Sequence, residues 1–410
     1  MGAPLEFMKF HIYYSRQGQQ VQARPCAYLR AAALGWRTQQ GSHCRRYNKQ
    51  ETIVMLIEQI EHRWLAAFRR TLELCALQGA EVVGIVTESQ SRPVNVALAE
   101  LAVQALGATP VRIQVPTPAL SAPAPVRSTG ASDALQRLAP VVAALSRCHL
   151  VLDCTVEGLL HAPELPQILR GADGIVPRML MISNEHPEIL ERCQPDPALE
   201  GTVRAAMKRL RGAREMRVHS PAGTELRIGL ADARVGGVWG FCNKPGQVSH
   251  WPGGLCLAFP AGRQVNGTLV LAPGDVNLTF KTYLRDTVVC HIEDDYIVGV
   301  EGQGVDADMM RGYYQAWADR EGTRDAYAVS HVGWGLNRLA RWDAMTFYDK
   351  RDCNGTELRA FAGNFLFSTG ANEVAGRHTL GHFDLPLRNC TVSLDGRNEV
   401  EAGTLVEAAA

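Results

Sequence analysis

Apolar residues in the stretch 51–78 recur at helical spacing: Ile53, Ile57, Ile60, Trp64, Phe68, Leu72 and Cys75. Gly79 follows as a stop signal, so the pattern predicts a helix over 51–78. Val82-Val83-Gly84-Ile85-Val86 reads as a short buried strand, 94–106 as a helix ending at Gly107, and 111–115 as a second strand. Residues 116–132, rich in Pro, Ser and Ala, read as a loop. A helix over 135–145 feeds a strand over 150–153, and a helix over 198–212, basic in its later turns, closes the unit. This strand–helix–strand rhythm predicts a parallel sheet with helices on its faces.

After Arg214 the pattern changes. Short β-like runs appear at 216–219, 225–230, 267–271, 276–280, 287–292 and 296–300, punctuated by Pro221-Ala222-Gly223 and Pro273-Gly274-Asp275. One helix, over 306–320, interrupts them. The expected organisation is an α/β N-terminal domain with a parallel sheet over 51–213 and a β-rich α+β C-terminal domain, carrying the catalytic groups, over 214–410. There is no internal repeat. The GxGxxG fingerprint, the Walker pattern and the Gly-x-Ser-x-Gly elbow are absent, which leaves nucleotide chemistry and serine hydrolysis of that type little support.

The 410 residues are 46% hydrophobic and 20% charged, the composition of a folded soluble protein. Basic and acidic residues number 42 each, which argues against a dedicated nucleic-acid binder. No run of 18 apolar residues predicts a membrane span. Eleven scattered cysteines without a CxxC pair fit a reducing cytoplasm better than a disulfide framework. Residues 1–50 hold eight Lys or Arg against one acid, Glu6. A basic leader is one reading. A start placed too far upstream, with Met55 near the true beginning, is the favoured one, and the segment is expected to be poorly ordered and to carry no chemistry.

The sharpest local feature is Gly381-His382-Phe383-Asp384-Leu385-Pro386. In a strand, side chains two apart share a face, so His382 and Asp384 can present an imidazole and a carboxylate to one ion. A satisfied surface pair spells the same letters. A second histidine lies in Ser330-His331-Val332-Gly333-Trp334-Gly335, where the glycines allow a tight turn and close backbone approach. Two histidines and a carboxylate form the facial set that holds Fe(II) with positions left open. His161, in Gly158-Leu159-Leu160-His161-Ala162-Pro163, follows a predicted strand, where ligands bind in open α/β sheets. His250 lies in Ser249-His250-Trp251-Pro252-Gly253-Gly254. Each of these two fits an acid–base or substrate-binding role, and each equally fits a ring that satisfies loop carbonyls. Local spacing alone favours structural roles over iron.

Taken together, these stretches resemble the 2,5-dihydroxypyridine 5,6-dioxygenases, ring-opening enzymes of bacterial nicotinate degradation. The likeness rests on Ser330-His331-Val332-Gly333-Trp334-Gly335-Leu336, on Gly363-Asn364-Phe365-Leu366-Phe367-Ser368-Thr369-Gly370, and on His382-Phe383-Asp384-Leu385-Pro386-Leu387-Arg388-Asn389-Cys390. It extends upstream to His250-Trp251-Pro252, Gly267-Thr268-Leu269-Val270-Leu271 and Leu159-Leu160-His161, and leaves residues 1–50 unmatched. The resemblance implies a thermophilic metallo-aminopeptidase-like fold and a mononuclear non-haem Fe(II) site with His331, His382 and Asp384 as ligands. It implies His161 and His250 as catalytic and substrate-binding residues, with Leu160 beside the ring. The implied reaction opens 2,5-dihydroxypyridine with O2, as an extradiol-like dioxygenase, to N-formylmaleamate. The implied partners are that small hydroxylated pyridine and O2, with no nucleic acid or membrane, in a cytoplasmic homo-oligomer. Two departures stand out: Ala162 and Gly253 occupy positions where the family stretch has Ser, and both are expected to alter substrate contacts.

Rival readings are a metallo-aminopeptidase on the same fold, a non-catalytic binding protein, and a dioxygenase of a related hydroxylated (hetero)aromatic. A two-metal hydrolase wants several bridging carboxylates. The candidates near the motifs are Glu301, Asp325, Glu357 and Glu373, and none sits in a matching context. Removing residues 1–50 is expected to leave catalysis intact, checked by assaying the shortened chain beside the full one.

Overall fold

Alternation of apolar residues along short strands builds the first half of the molecule. The computed structural model describes residues 58–119 and 132–406. The basic segment 1–50, the start of the predicted first helix and most of the loop 116–132 lie outside them. Strand Val82–Glu88 pairs in parallel with Thr109–Val115 on one side and Leu150–Cys154 on the other. Arg178–Met181 and then Val248–His250 extend the parallel sheet. Val83, Ile85, Leu150, Leu152 and Leu180 face one apolar cluster, with Phe68 and Leu72 of helix His62–Leu74 and Leu98 of helix Pro93–Ala105. Val86, Val151, Met179 and Met181 face the other, against Leu145 and Ile168. The period-two alternation thus puts helices on both faces, as the sequence predicted.

Differences from the sequence reading have local causes. The helix predicted from 135 begins at Ala139, with Pro140 in its first turn, a position that tolerates a residue without an N–H. The fifth parallel strand, Val248–His250, comes from beyond residue 214 and is three residues long, too short to show a period. The run 276–280 forms a strand only at Val276–Asn277. Beyond it, Leu278 N–H donates to the Asp384 carbonyl (3.0 Å) and the Thr279 hydroxyl to the His382 carbonyl (3.0 Å).

The second half is antiparallel. An eight-stranded sheet is formed in spatial order by Tyr296–Glu301, Val288–Glu293, Val265–Leu271, Glu225–Gly229, Glu215–His219, Thr391–Leu394, Arg397–Glu401 and Thr404–Leu405. A five-stranded sheet runs Phe383–Leu387, Phe365–Thr369, Val329–Gly335, Leu255–Phe259 and Arg234–Val238. Strand Val329–Gly335 is buried along its whole length. No turn forms at Gly333-Trp334-Gly335. The glycines serve close approach instead: a Cβ on Gly333 would lie 2.0 Å from the Cys256 carbonyl oxygen, and one on Gly335 2.2 Å from that of Phe361. The nine cysteines among the described residues are buried and unbridged. No helix there is long and apolar enough to cross a membrane.

Gly333→Ala is therefore expected to lower stability by at least about 1–3 kcal/mol, the usual scale for overpacking. Denaturant unfolding measures it.

Candidate active site

The five-stranded antiparallel sheet supplies two histidines and a carboxylate. His331 lies in Val329–Gly335, where the pairing with Phe365–Thr369 shifts register between Val329 and Val332, an irregularity of the kind that re-aims side chains. Asp384 lies in Phe383–Leu387 opposite Ser368, whose hydroxyl donates to Asp384 Oδ1. His382 immediately precedes that strand. Its N–H donates to the Tyr313 hydroxyl oxygen (2.8 Å), and its carbonyl accepts from the Tyr313 hydroxyl (3.0 Å). Asp384 Oδ1 lies 3.3 Å from His382 Nε2 and 3.7 Å from His331 Nε2. Two histidines distant in the chain thus close on one carboxylate oxygen.

The parallel sheet supplies the opposite wall. Asp153, fully buried at the end of Leu150–Cys154, accepts from Thr155 N–H (2.9 Å), the Thr155 hydroxyl (2.6 Å) and Leu159 N–H (2.8 Å). These bonds fold the following loop so that the His161 ring lies 4.7 Å from that of His382 and 6.2 Å from that of His331, nearly parallel to the latter. Donor nitrogens of His161, His331 and His382 all lie within 4.8 Å of one another. His161 thus joins His331 and His382 as a third imidazole within reach of one ion. Leu160 is half-buried and packs against the apolar cluster of Leu159, Leu165 and Ile168. His250 ends its strand at the same carboxyl edge of the sheet, where ligand sites form in α/β folds. Arg359 and Asp384 act on its charge, and it acts on those of His161 and His331.

Burial sets the charge states. It pulls the His331 imidazole down to about 3, against the opposing pull of Asp384. It pulls His250 down to about 4, helped by the Arg359 guanidinium. His161 is held well below its ordinary value by burial and by His382 and His331. Burial pushes Asp384 up, but Arg359, whose Nε lies 2.5 Å from Oδ2, and His382 outweigh it and hold the carboxyl well below the usual range. His331 Nδ1 and both ring nitrogens of His382 are buried without a hydrogen-bond partner. Imidazoles with unengaged nitrogens beside an ionised carboxylate fit a divalent first-row metal ion.

Sequence reasoning missed Arg359, Tyr313 and Asp153, none of which stands in a motif. Ser368 stood in a quoted block, with no sign of its bond to Asp384. The peptidase-type carboxylates lie elsewhere: Glu357 pairs with Arg192 (2.8 Å), Glu301 with His291 (2.9 Å) and Glu373 with Arg234 (3.7 Å), and Asp325 accepts from His378 N–H (3.1 Å).

Residues 63–407 match the protein-family model described as NicX: 2,5-dihydroxypyridine 5,6-dioxygenase. The chain is 35% identical over 345 residues to the 2,5-dihydroxypyridine 5,6-dioxygenase of Pseudomonas putida KT2440, covering 83% of this chain and 95% of that one. This chain belongs to the 2,5-dihydroxypyridine 5,6-dioxygenase family. The solved structure of the P. putida KT2440 dioxygenase matches with a TM-score of 0.77 at 34% identity, over 84% of this chain and 97% of that one. AmpT from Thermus thermophilus matches with a TM-score of 0.56 at 15% identity, over 84% and 99%. That second likeness concerns the fold, which is of the thermophilic metallo-aminopeptidase type.

Within this dioxygenase family, the two departures of the chain have structural surroundings of their own. Ala162 is buried in the apolar cluster with Leu159 and Leu165. A Cβ on Gly253 would lie 2.0 Å from Gly240 N, so a serine there requires the backbone to move.

His331 and His250 hold a proton less tightly in the fold than the ordinary 6.5 of an unfolded chain. Below that pH the unfolded chain takes up protons that the fold refuses. Stability of the metal-free protein is then complete above about pH 6.5 and falls as the pH drops toward about 4, with Asp384 adding a further loss at lower pH. Thermal melts of chelator-treated protein across this interval check it; an unchanged melting temperature contradicts it.

Proposed function

We propose that this protein is a non-haem Fe(II)-dependent 2,5-dihydroxypyridine 5,6-dioxygenase, acting in the cytoplasm in nicotinate degradation as a homo-oligomer. The observation that carries the reading is the approach of His331 and His382 to one oxygen of Asp384, in a chain of this family. His331, His382 and Asp384 are the proposed ligands. A ferrous ion bound there supplies open coordination positions and electron density for the reaction of the ring with O2. Opening the bond between ring carbons 5 and 6 with incorporation of both oxygen atoms converts 2,5-dihydroxypyridine to N-formylmaleamate, with no other reactant.

The chain's own groups do the rest. His161 and His250 are neutral at physiological pH because burial disfavours their protonated forms. A neutral imidazole beside the ring accepts the proton of a substrate hydroxyl and returns it later. Leu160 offers an apolar edge against the ring. The buried, unbridged cysteines among the described residues support a reducing compartment. A peptidase reading lacks support, because Glu301, Glu357 and Glu373 are engaged by His291, Arg192 and Arg234.

Anaerobic reconstitution with Fe(II), metal analysis and an oxygen electrode test the proposal. One iron per chain and one O2 consumed per 2,5-dihydroxypyridine are expected. Paired zinc, cobalt or manganese, or oxygen uptake only with a different hydroxylated ring, overturns it. His331→Ala, His382→Ala and Asp384→Ala should each lose iron and activity in a folded protein. His161→Ala and His250→Ala should keep iron and lose roughly 10²–10⁴-fold in rate, the scale of general acid–base groups.

A further inference from the structure

A carboxylate on a short side chain turns easily about its last bond, whose rotamer wells are broad. Asp384 is not left to do so. Arg359 Nε lies 2.5 Å from Oδ2, and the Ser368 hydroxyl donates to Oδ1. The guanidinium therefore occupies one oxygen and leaves the other turned toward His382 and His331, at 3.3 and 3.7 Å. Both side chains of the ion pair are largely buried, 13% exposed for Arg359 and 5% for Asp384.

Arg359 is itself anchored from both halves of the site. It lies in the short helix Thr356–Ala360. Glu185, fully buried beyond the parallel strand Arg178–Met181, accepts from Asn354 N–H (3.0 Å) and Thr356 N–H (2.7 Å) at the start of that helix. Arg359 Nη1 donates to the Asn354 carbonyl (3.1 Å). On the other side, Asn364 Nδ2 donates to the carbonyls of Leu358 (2.7 Å) and Arg359 (3.0 Å), while its Oδ1 accepts from Gly335 N–H (2.7 Å) at the end of the His331 strand. Glu185 ties the arginine helix to the parallel sheet, and Asn364 ties it to the strand that carries His331.

We propose that Arg359 is a positioning residue that, with Ser368, presents a single oxygen of Asp384 to the metal position between His331 and His382. The proposal rests on the reading of Asp384 as a metal ligand. Arginine suits the task because its planar fork fixes direction as well as charge, which a lysine ammonium does not. Groups that orient metal-binding side chains are worth about 10–100-fold in metal affinity.

The test uses Co(II) as a spectroscopic probe with the full chain. Affinity is read by competition with a chelator and coordination by the visible absorption bands. Arg359→Met should weaken Co(II) binding about 10–100-fold and alter the bands. Arg359→Lys should restore part of the affinity without the wild-type spectrum, and Ser368→Ala should give a smaller change in the same direction. Circular dichroism establishes that each variant is folded; should Arg359→Met not fold, the lysine and Ser368 variants carry the test. Wild-type affinity and spectrum in the folded Arg359 and Ser368 variants overturn the proposal, provided Asp384→Ala loses cobalt. If Asp384→Ala also binds cobalt as the wild type does, the ligand reading itself has failed, and the positioning role falls with it.

Discussion

An ionised carboxylate held inside the protein among neutral imidazoles is the constraint on which the site depends. Removing such a charge from water costs on the order of several kcal/mol unless it is paired and hydrogen-bonded. Asp384 meets that condition through Arg359 and Ser368. The imidazoles of His161, His250 and His331 answer the same burial in the opposite way, by giving up the proton. One low-dielectric environment thus yields an anionic oxygen and neutral nitrogens side by side. That is the protonation pattern a divalent metal ion requires of its donors.

Two sheets of different kinds build this environment, and each positions side chains by its own means. In the antiparallel sheet, ladder register sets Asp384 opposite Ser368, and a register shift lies beside His331. In the parallel sheet, His250 ends its strand and His161 follows the end of Leu150–Cys154, where the chain leaves regular structure. Buried Asp153 compensates by taking three hydrogen bonds from the loop that leads to His161. The loop is thereby fixed through a carboxylate anchored on a central strand. A site on loops becomes as well placed as one on strands when such bonds hold it.

The likeness to AmpT at 15% identity concerns the fold alone, and a shared fold does not decide chemistry. The acidic residues near the motifs sit in no context that matches a two-metal hydrolase. Glu357, Glu301 and Glu373 are instead each engaged by Arg192, His291 and Arg234. Glu357 is fully buried, and its partner arginine gives it a structural task between the helix Pro187–Arg192 and the segment that leads to Arg359.

Read alone, the chain disclosed its elements wherever a period ran long enough to register. Helix Pro93–Ala105, strand Val82–Glu88 and helix Val305–Glu321 differ from their predicted bounds by at most a few residues. The three-residue strand Val248–His250 had no period to show, and the run at 276–280 bent away because Leu278 N–H and the Thr279 hydroxyl found partners in the carbonyls of Asp384 and His382. For the site, His331, His382, Asp384, His161 and His250 could be singled out by residue type and motif. Their meeting could not, since it depends on strand order and on register. Arg359, Glu185 and Asn364 carried no local sign, because each acts on a partner remote in the chain and reached only through packing. Sequence determined which donors exist; tertiary structure alone decided which of them are buried side by side, because desolvation and hydrogen-bond direction are properties of an assembled interior.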